Sequence, residues 1–496
     1  MKQTQKFDNF SGGLNVKNIA SKISESESPD LLNIHFNERG AITKRHGYSK
    51  LFDSLGSGKI TGLYEFFRVN ALSEILYGWS TNLYKLGNTT PLYTTLNGSD
   101  LDFETMNDKA WLLDGTNYLV YDGSTVSAAS YTPTTDEQST KGDNILSTNP
   151  TEITKNTIIV SYGGKNDTRV MLAGNPDYPS TVFVSAVYNP AYFPSNDYFY
   201  KIGSDNDKIT ALVRFYDYLV IFKERSIWIM KISVTDAGVT YDINPINDSV
   251  GCIAGKTPVI IDNNLLFLSH KGVYALKASE VREYLNVEHI SERIDPLLLE
   301  EENLKEATAI DYDGKYWLCV NDTVYLFDYQ LVCWIRYDNI NANCFLLKDR
   351  ELYFGSRDIG EINKFIPNQF NDNGMPINAY WKSKLLDFKR KDWIKKFYYI
   401  WVSNQAYMVD SYIDGIITID MEDYPLDKPF LATILNLDDF YIDDFLVNDK
   451  DIPPTVREKL KEKGVYIQFT FKNDRLDQPF SLLDFTLDYE FRKRVK

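Results

Sequence analysis

Cysteine and histidine are scarce, four of each in 496 residues. Cys252, Cys319, Cys333 and Cys344 lie far apart with no CxxC pair, so their spacing offers neither a zinc ribbon nor a redox motif. Isolated core thiols are expected. His35, His46, His270 and His289 have no partner at metal or triad spacing, and each reads as a hydrogen-bonded turn residue. The phosphate loop GxxxxGK[ST] and the nucleophile elbow GxSxG are missing, and "FSGGLN" is too short for a phosphate cradle. "DYDG" (residues 311–314) and "GSDND" (203–207) resemble pieces of calcium loops but never reach the terminal Glu such loops need; hairpin turns are the better reading. No catalytic group, cofactor or metal is expected.

Long apolar runs are also missing. None approaches the ~18 residues that span a bilayer, and the N-terminus lacks the charged-then-apolar pattern of a secretory signal. Synthesis in a cytosol and no membrane partner are expected. Positive charge is in deficit: 53 Lys and Arg stand against 69 Asp and Glu, a net charge of -16. A broad grip on nucleic acid needs phosphate neutralisation, so this balance argues against one. It suits a surface that nucleic acid slides past.

Aromatic residues are abundant, with 34 Tyr and 28 Phe, a composition that favours strands. A hairpin recurs seven times: "ILYGWSTNLYKL", "AWLLDGTNYLVYDG", "VMLAGNPDYPSTVFVSAV", "DYLVIFKERSIWIMKI", "NNLLFLSHKGVYALKA", "GKYWLCVNDTVYLFDY" and "RELYFGSRDIGEINKF". Its anchors are Tyr84, Tyr121, Phe183, Trp228, Tyr274, Tyr325 and Ile362, separated by 37, 62, 45, 46, 51 and 37 residues. The mean, about 46, matches the ~40–50 residues of a four-stranded propeller blade. One hairpin cannot bury its apolar face, whereas blades around an axis cover each other. Tandem sandwiches and a β-helix are the competing architectures; the first repeats near ~100 residues and the second in shorter coils. The expectation is an all-β chain with a β-propeller over residues 56–368, of seven blades, or six if the 37-residue spacings mark incomplete ones.

Residues 1–55 read as an extended arm and first strand. Within them "SESPDLLNIHFNERGAITKRHGY" (26–48) has no helical period and ends in Lys44, Arg45 and His46. Between the fifth and sixth hairpins, "HISERIDPLLLEEENLKEAT" predicts a short helix capped by Ser291 and carrying Ile294, Leu297, Leu298 and Leu299. Residues 369–496 alternate polar with apolar or aromatic residues in "AYWKSKLLDF", "IKKFYYIWVSN", "VYIQFTFKND" and "FSLLDFTLDYEFRK", as half-buried antiparallel strands do. A β-sandwich-like domain is expected. Its insertion, 436–464, reads as an acidic loop followed by a short helix that starts after Pro453-Pro454 and stops at Gly464.

The opening "FSGGLNVKNIASKISESESPDLLNIHFNERGAITKRHGYSKL" resembles that of tailed-bacteriophage structural proteins with a Gly-Gly-Leu-Asn segment, an "ESPDLLN" stretch and a "G-x-hydrophobic-x-K-R-x-G-Y" strand. "YLVIFKERSIWIMKI", "LLFLSHKGVYALKA" and "AYWKSKLLDF" followed by "KKFYYIWV" are similar to later parts of the same group. The resemblance implies a tail hub or nozzle protein without enzymatic activity: a propeller subunit of a homo-oligomeric ring, commonly sixfold, below the portal and adaptor rings. Viral DNA would pass through the lumen without sequence-specific binding. The site would be the virion tail or neck, assembled in the cytoplasm of a bacterial host. The acidic insertion departs from the group's pattern.

The interface candidates follow. Arg39, Lys44 and Arg45 are expected to pair with acidic surface on the same chain or a neighbour. Lys389, Arg390, Lys391, Lys395 and Lys396, with Arg492, Lys493 and Arg494, are expected to face neighbouring subunits, adaptor proteins or DNA. Asp438, Asp439, Asp443 and Asp444 suit a host glycan or protein under the alternative reading, a receptor-binding tail component. A propeller glycoside hydrolase or lyase is a third reading; carboxylates are plentiful, but sequence alone cannot bring two of them to the ~5–10 Å that such catalysis needs.

Overall fold

The computed structural model describes all residues except 1, 38–39, 70, 165, 236–237, 279–284, 406, 408, 410, 433–454 and 495–496. The chain is nearly all β, folded as many small antiparallel sheets. Seven of these follow one another between residues 60 and 365. The first has three strands, Ile60–Phe66, Glu74–Trp79 and Asn82–Lys85. The next five are four-stranded meanders over residues 102–128, 158–201, 209–247, 259–289 and 308–337. All seven sequence anchors, Tyr84 through Ile362, fall on the third strand of their sheets. The 62-residue gap between the second and third anchors holds three short helices that the strand-based reading did not anticipate: Thr135–Lys141, Ile145–Thr148 and Pro150–Thr154. Their signal was present in the sequence, since Thr134 and Glu137 form a reciprocal capping box.

The seventh sheet is completed from far away. Its local strands are Ala342–Lys348, Glu351–Ser356 and Ile362–Phe365, and its fourth is Tyr48–Lys50, which pairs Tyr48 with Phe365 and Lys50 with Asn363. Packing of first strands runs from sheet to sheet and returns, because Ala342–Lys348 packs on Ile60–Phe66. Between the fourth and fifth sheets the link is a core shared by Phe222 and Phe267, whose rings lie 4.8 Å apart.

Two further sheets pack face to face. One is built on the long pair Trp393–Asn404 and Ser481–Arg494, the other on Ser411–Ile419, Ile467–Asn473 and Ala379–Lys382. Phe485 on the first meets Phe469 and Phe471 on the second, at 5.1 and 5.2 Å between ring centres. Here too the N-terminal segment intervenes. Gln3–Phe7, Ile34–Phe36 and Ile42–Lys44 join the first sheet, and Asp30–Leu32 joins the second. Short strands between Gln3 and Lys50 are therefore shared among these sheets.

Two expected helices are corrected. The described end of the insertion is a strand, Thr455–Lys459, laid antiparallel on Tyr399 to Ser403, so sheet pairing overrides the helical pattern of that stretch. Near residue 295 only one turn, Asp295–Leu298, is helical, and Ile294 rather than Ser291 stands before it. The Ser291 hydroxyl instead accepts from the Val273 amide at 2.7 Å and donates to Asp295 Oδ1 at 2.5 Å.

Candidate functional site

Lys44 and Arg45 were expected on a surface, and the structure buries both, at 0 and 1% exposure. Strand Ile42–Lys44 runs into the Ser481–Arg494 sheet and Tyr48–Lys50 into the seventh sheet, so the residues between them cross the joint of the two bodies. There the Arg45 guanidinium makes a two-pronged ion pair with Asp372, at 2.9 and 2.6 Å. Its other donors reach Asn33 Oδ1 and the carbonyls of His46 and Asp338. Asn339 donates to Asp372 as well. A buried ion pair persists only when its remaining hydrogen-bonding groups are satisfied, and here they are. Lys44 donates to Asn473 Oδ1 at 2.9 Å and to the Arg475 carbonyl at 3.2 Å. Burial, aided by the adjacent Arg45, pulls its ammonium down to about 8. Both cations are structural fasteners within the chain and leave no surface for a partner. Arg39 lies outside the described residues.

The second basic set is brought together. Antiparallel register places Arg494 opposite Trp393 and Lys493 opposite Ile394, beside the turn that carries Lys389, Arg390 and Lys391. Lys389, Arg390, Lys391, Arg492, Lys493 and Arg494 are exposed and Lys396 is half-buried. Asp392 is shared between Arg390 at 3.3 Å and Arg494 at 3.5 Å, and Glu490 pairs with Arg492 at 2.8 Å. The Arg390 guanidinium lies over the Trp393 ring, 5.1 Å from its centre. Lys396 and Lys463 are opposite each other on neighbouring strands. Lys395, opposite Gly464, does not reach the expected surface: it is buried and donates to the carbonyls of Arg390 and Val465 at 2.7 Å each, holding the turn against the sheet. The four candidate aspartates 438, 439, 443 and 444 lie outside the described residues.

Residues from or just before four of the seven sheets form a polar cluster that sequence reasoning missed. Asp100 accepts from Lys59 at 2.8 Å, Lys256 at 2.9 Å and Asn343 at 2.9 Å. Lys59 precedes the first sheet, Asp100 the second and Lys256 the fifth, and Asn343 belongs to the seventh. Burial pushes the Asp100 carboxyl up, but Lys256 and the bonds from Lys59 and Asn343 outweigh it and leave it at about 2. On the adjacent strand Asp102 and Glu104 accept the amides of Ile159 and Ser161 in the next sheet, both at 2.9 Å. Burial raises their carboxyls to about 6 and about 7. No spacing rule announces such a meeting, since each residue comes from a different repeat.

His289 has partners after all. Its Nε2 lies 3.1 Å from Asp295 and 3.3 Å from Ser291. In a Ser-His-Asp relay the acid and the nucleophile engage opposite ring nitrogens. Here both face the same one, and the Ser291 hydroxyl is already committed to Asp295 and Val273, so the group braces a turn. Cys252, Cys319 and Cys333 are buried free thiols and Cys344 is a half-buried one. Among the described residues no three metal-binding side chains converge, and no helix is long and apolar enough to cross a membrane.

No family model and no curated protein matches the sequence. Solved structures that align with the chain do so at low similarity. Two are extracellular domains of hybrid two-component systems from B. thetaiotaomicron. One is 8% identical over 71% of this chain and 43% of that one, with a TM-score of 0.40. The other is 10% identical over 82% and 57%, with a TM-score of 0.43. The chain thus spans about half the length of these two. An exo-beta-1,3-galactanase from Phanerochaete chrysosporium is 8% identical over 79% of this chain and 97% of its own, with a TM-score of 0.25.

Proposed function

We propose that the chain is a structural, non-enzymatic subunit of a bacteriophage tail or neck, a hub or nozzle protein of a ring that surrounds the path of DNA below the portal and adaptor. In this reading the seven sheets are the blades of a propeller, and the two facing sheets form a sandwich fastened to it. The observation that carries the reading is how the N-terminal segment is used. The residues that resemble tail proteins, "ESPDLLN" and "KRHGY", supply Asp30–Leu32 to the sandwich, Tyr48–Lys50 to the seventh blade and Arg45 to the buried joint between them. A part that must hold its shape while DNA moves past it is served by such interlocking.

The polar cluster at Asp100 ties together residues from four of these blades. In this reading DNA passes through the lumen of the ring of copies. Net acidity would keep the lumen from holding the strand.

Light scattering after size exclusion, followed by electron microscopy, tests the reading with the chain alone and with neighbouring tail proteins. A ring of identical copies around an open lumen is the expected result. A chain that stays monomeric with those proteins present and binds host-surface polysaccharide would overturn it in favour of a receptor-binding component.

A further inference from the structure

We infer that the basic end of the Trp393–Asn404 and Ser481–Arg494 sheet is a docking surface for the acidic segment of a second copy of this chain. The inference rests on the ring reading above and names the contact that would build the ring.

The charge distribution is the starting point. On a chain of net charge -16, Lys389, Arg390, Lys391, Arg492, Lys493 and Arg494 crowd one strand end with Asp392 and Glu490 as ion-pair partners. Lys389, Lys391 and Lys493 have no ion-pair partner among the described residues, and Lys463 beside Lys396 adds to the excess. Arg390 is held flat on Trp393, which fixes its guanidinium for a planar acceptor or ring.

The complementary charge is in the same chain. Residues 433–454 carry six aspartates, at 438, 439, 443, 444, 449 and 451, against Lys450 alone. Phe440, Tyr441 and Phe445 are interleaved with them, a composition suited to arginines that pair with carboxylates and stack on rings. The flanking strands show where this segment starts and ends. Ala432 pairs with Ser411, whose hydroxyl donates to the Pro479 carbonyl, and Thr455 pairs with Ser403. Both attachments lie at the Ser481 end of Ser481–Arg494, whereas the cations gather at the Arg494 end. Ser403 faces Asp484, so seven strand residues, 485 to 491, lie between the Thr455 attachment and Arg492, roughly 25 Å.

A basic strand end on one copy that takes the acidic segment of the next makes a head-to-tail contact between copies. Such heterologous contacts close into rings when the rotation between copies permits. Each exposed pair contributes little, so the charges set register and partner choice while apolar contacts add strength.

A charge-swap experiment on the full chain tests this. One variant carries K389E, K391E and K493E; a second carries lysine in place of Asp438, Asp439, Asp443 and Asp444. Sedimentation at about 50 mM and about 500 mM salt measures association, with melting temperature as the check on folding. Wild type should associate at low salt and weaken at high salt. Each variant alone should lose about tenfold or more in affinity, and an equimolar mixture should recover it, because each supplies the charge the other lacks. Unimpaired association of either variant, or no recovery on mixing, overturns the contact. If rings persist in both variants, the ring reading stands and only this contact falls. A wild type that stays monomeric at both salt concentrations overturns the contact, while the ring reading is judged on images with neighbouring tail proteins. Loss of binding to a short DNA duplex in the first variant, with association unchanged, also overturns it and assigns the basic end to phosphates.

Discussion

Arg45 is where a surface expectation meets the largest cost of being wrong. A guanidinium at 1% exposure is tolerable only because Asp372, Asn33 and two carbonyls use its donors. Removing one partner strands a buried charge, so Asp372→Ala should lower stability by about 3–5 kcal/mol, read as a shift in the urea midpoint. Asp102 and Glu104 behave in the opposite way to ordinary surface carboxylates. Their folded values, about 6 and about 7, lie above the ordinary 3.8 and 4.5 of free carboxyls. Between about pH 4 and 7 the folded chain keeps protons that the unfolded chain has released, so these groups favour folding below that window and lose the contribution as pH rises through it. The doubled substitution D102N/E104Q keeps an oxygen for the Ile159 and Ser161 amides and removes the charge. It should stabilise the chain at pH 8 by on the order of 1 kcal/mol and flatten the pH dependence of unfolding between pH 4 and 7. A pH profile with unchanged slope would contradict it.

At the scale of elements, the strand Tyr48–Lys50 carries a role far larger than its three residues, since it alone covers the outer edge of Ile362–Phe365 in the seventh sheet. Ser49 stands opposite Lys364. Ser49→Pro removes a ladder donor and should cost on the order of 2–3 kcal/mol, with faster hydrogen exchange concentrated at residues 362–365. The hairpins were readable because each is local: two strands and a turn in a dozen residues, with Tyr84 or Tyr325 recurring at the same place in the repeat. Closure of the seventh sheet was not readable, because Tyr48 and Phe365 lie on either side of all the intervening strands in sequence. The strand Thr455–Lys459 was misread for a related reason. Its residues spell a helix, and only the distant edge offered by Tyr399 to Ser403 makes extended pairing the better outcome. The basic clusters could be seen in sequence, yet their meeting depends on the register that sets Arg494 opposite Trp393.

For the whole molecule the question is whether two bodies can behave as one. The N-terminal segment gives strands to both, and at their boundary Arg45, Asn33 and Asp372 form a network that neither body could complete alone. Arg336 extends it, donating at 3.2 Å to Asp30, whose carboxylate also accepts from Tyr380. A boundary of this kind couples unfolding, because opening either body exposes an ion pair that holds the other. Wild type should therefore melt in a single calorimetric transition despite its 496 residues. Arg45→Met keeps part of the side-chain volume and leaves Asp372 without its cation, so it should split the melt into two transitions, with the seven-sheet body and the two facing sheets separating in temperature. Two transitions in wild type would mean that the shared strands tether the bodies without coupling them. One transition in the variant would mean that the apolar core common to Phe7, Tyr48, Trp317 and Phe485, rather than the buried ion pair, makes the molecule a single cooperative unit.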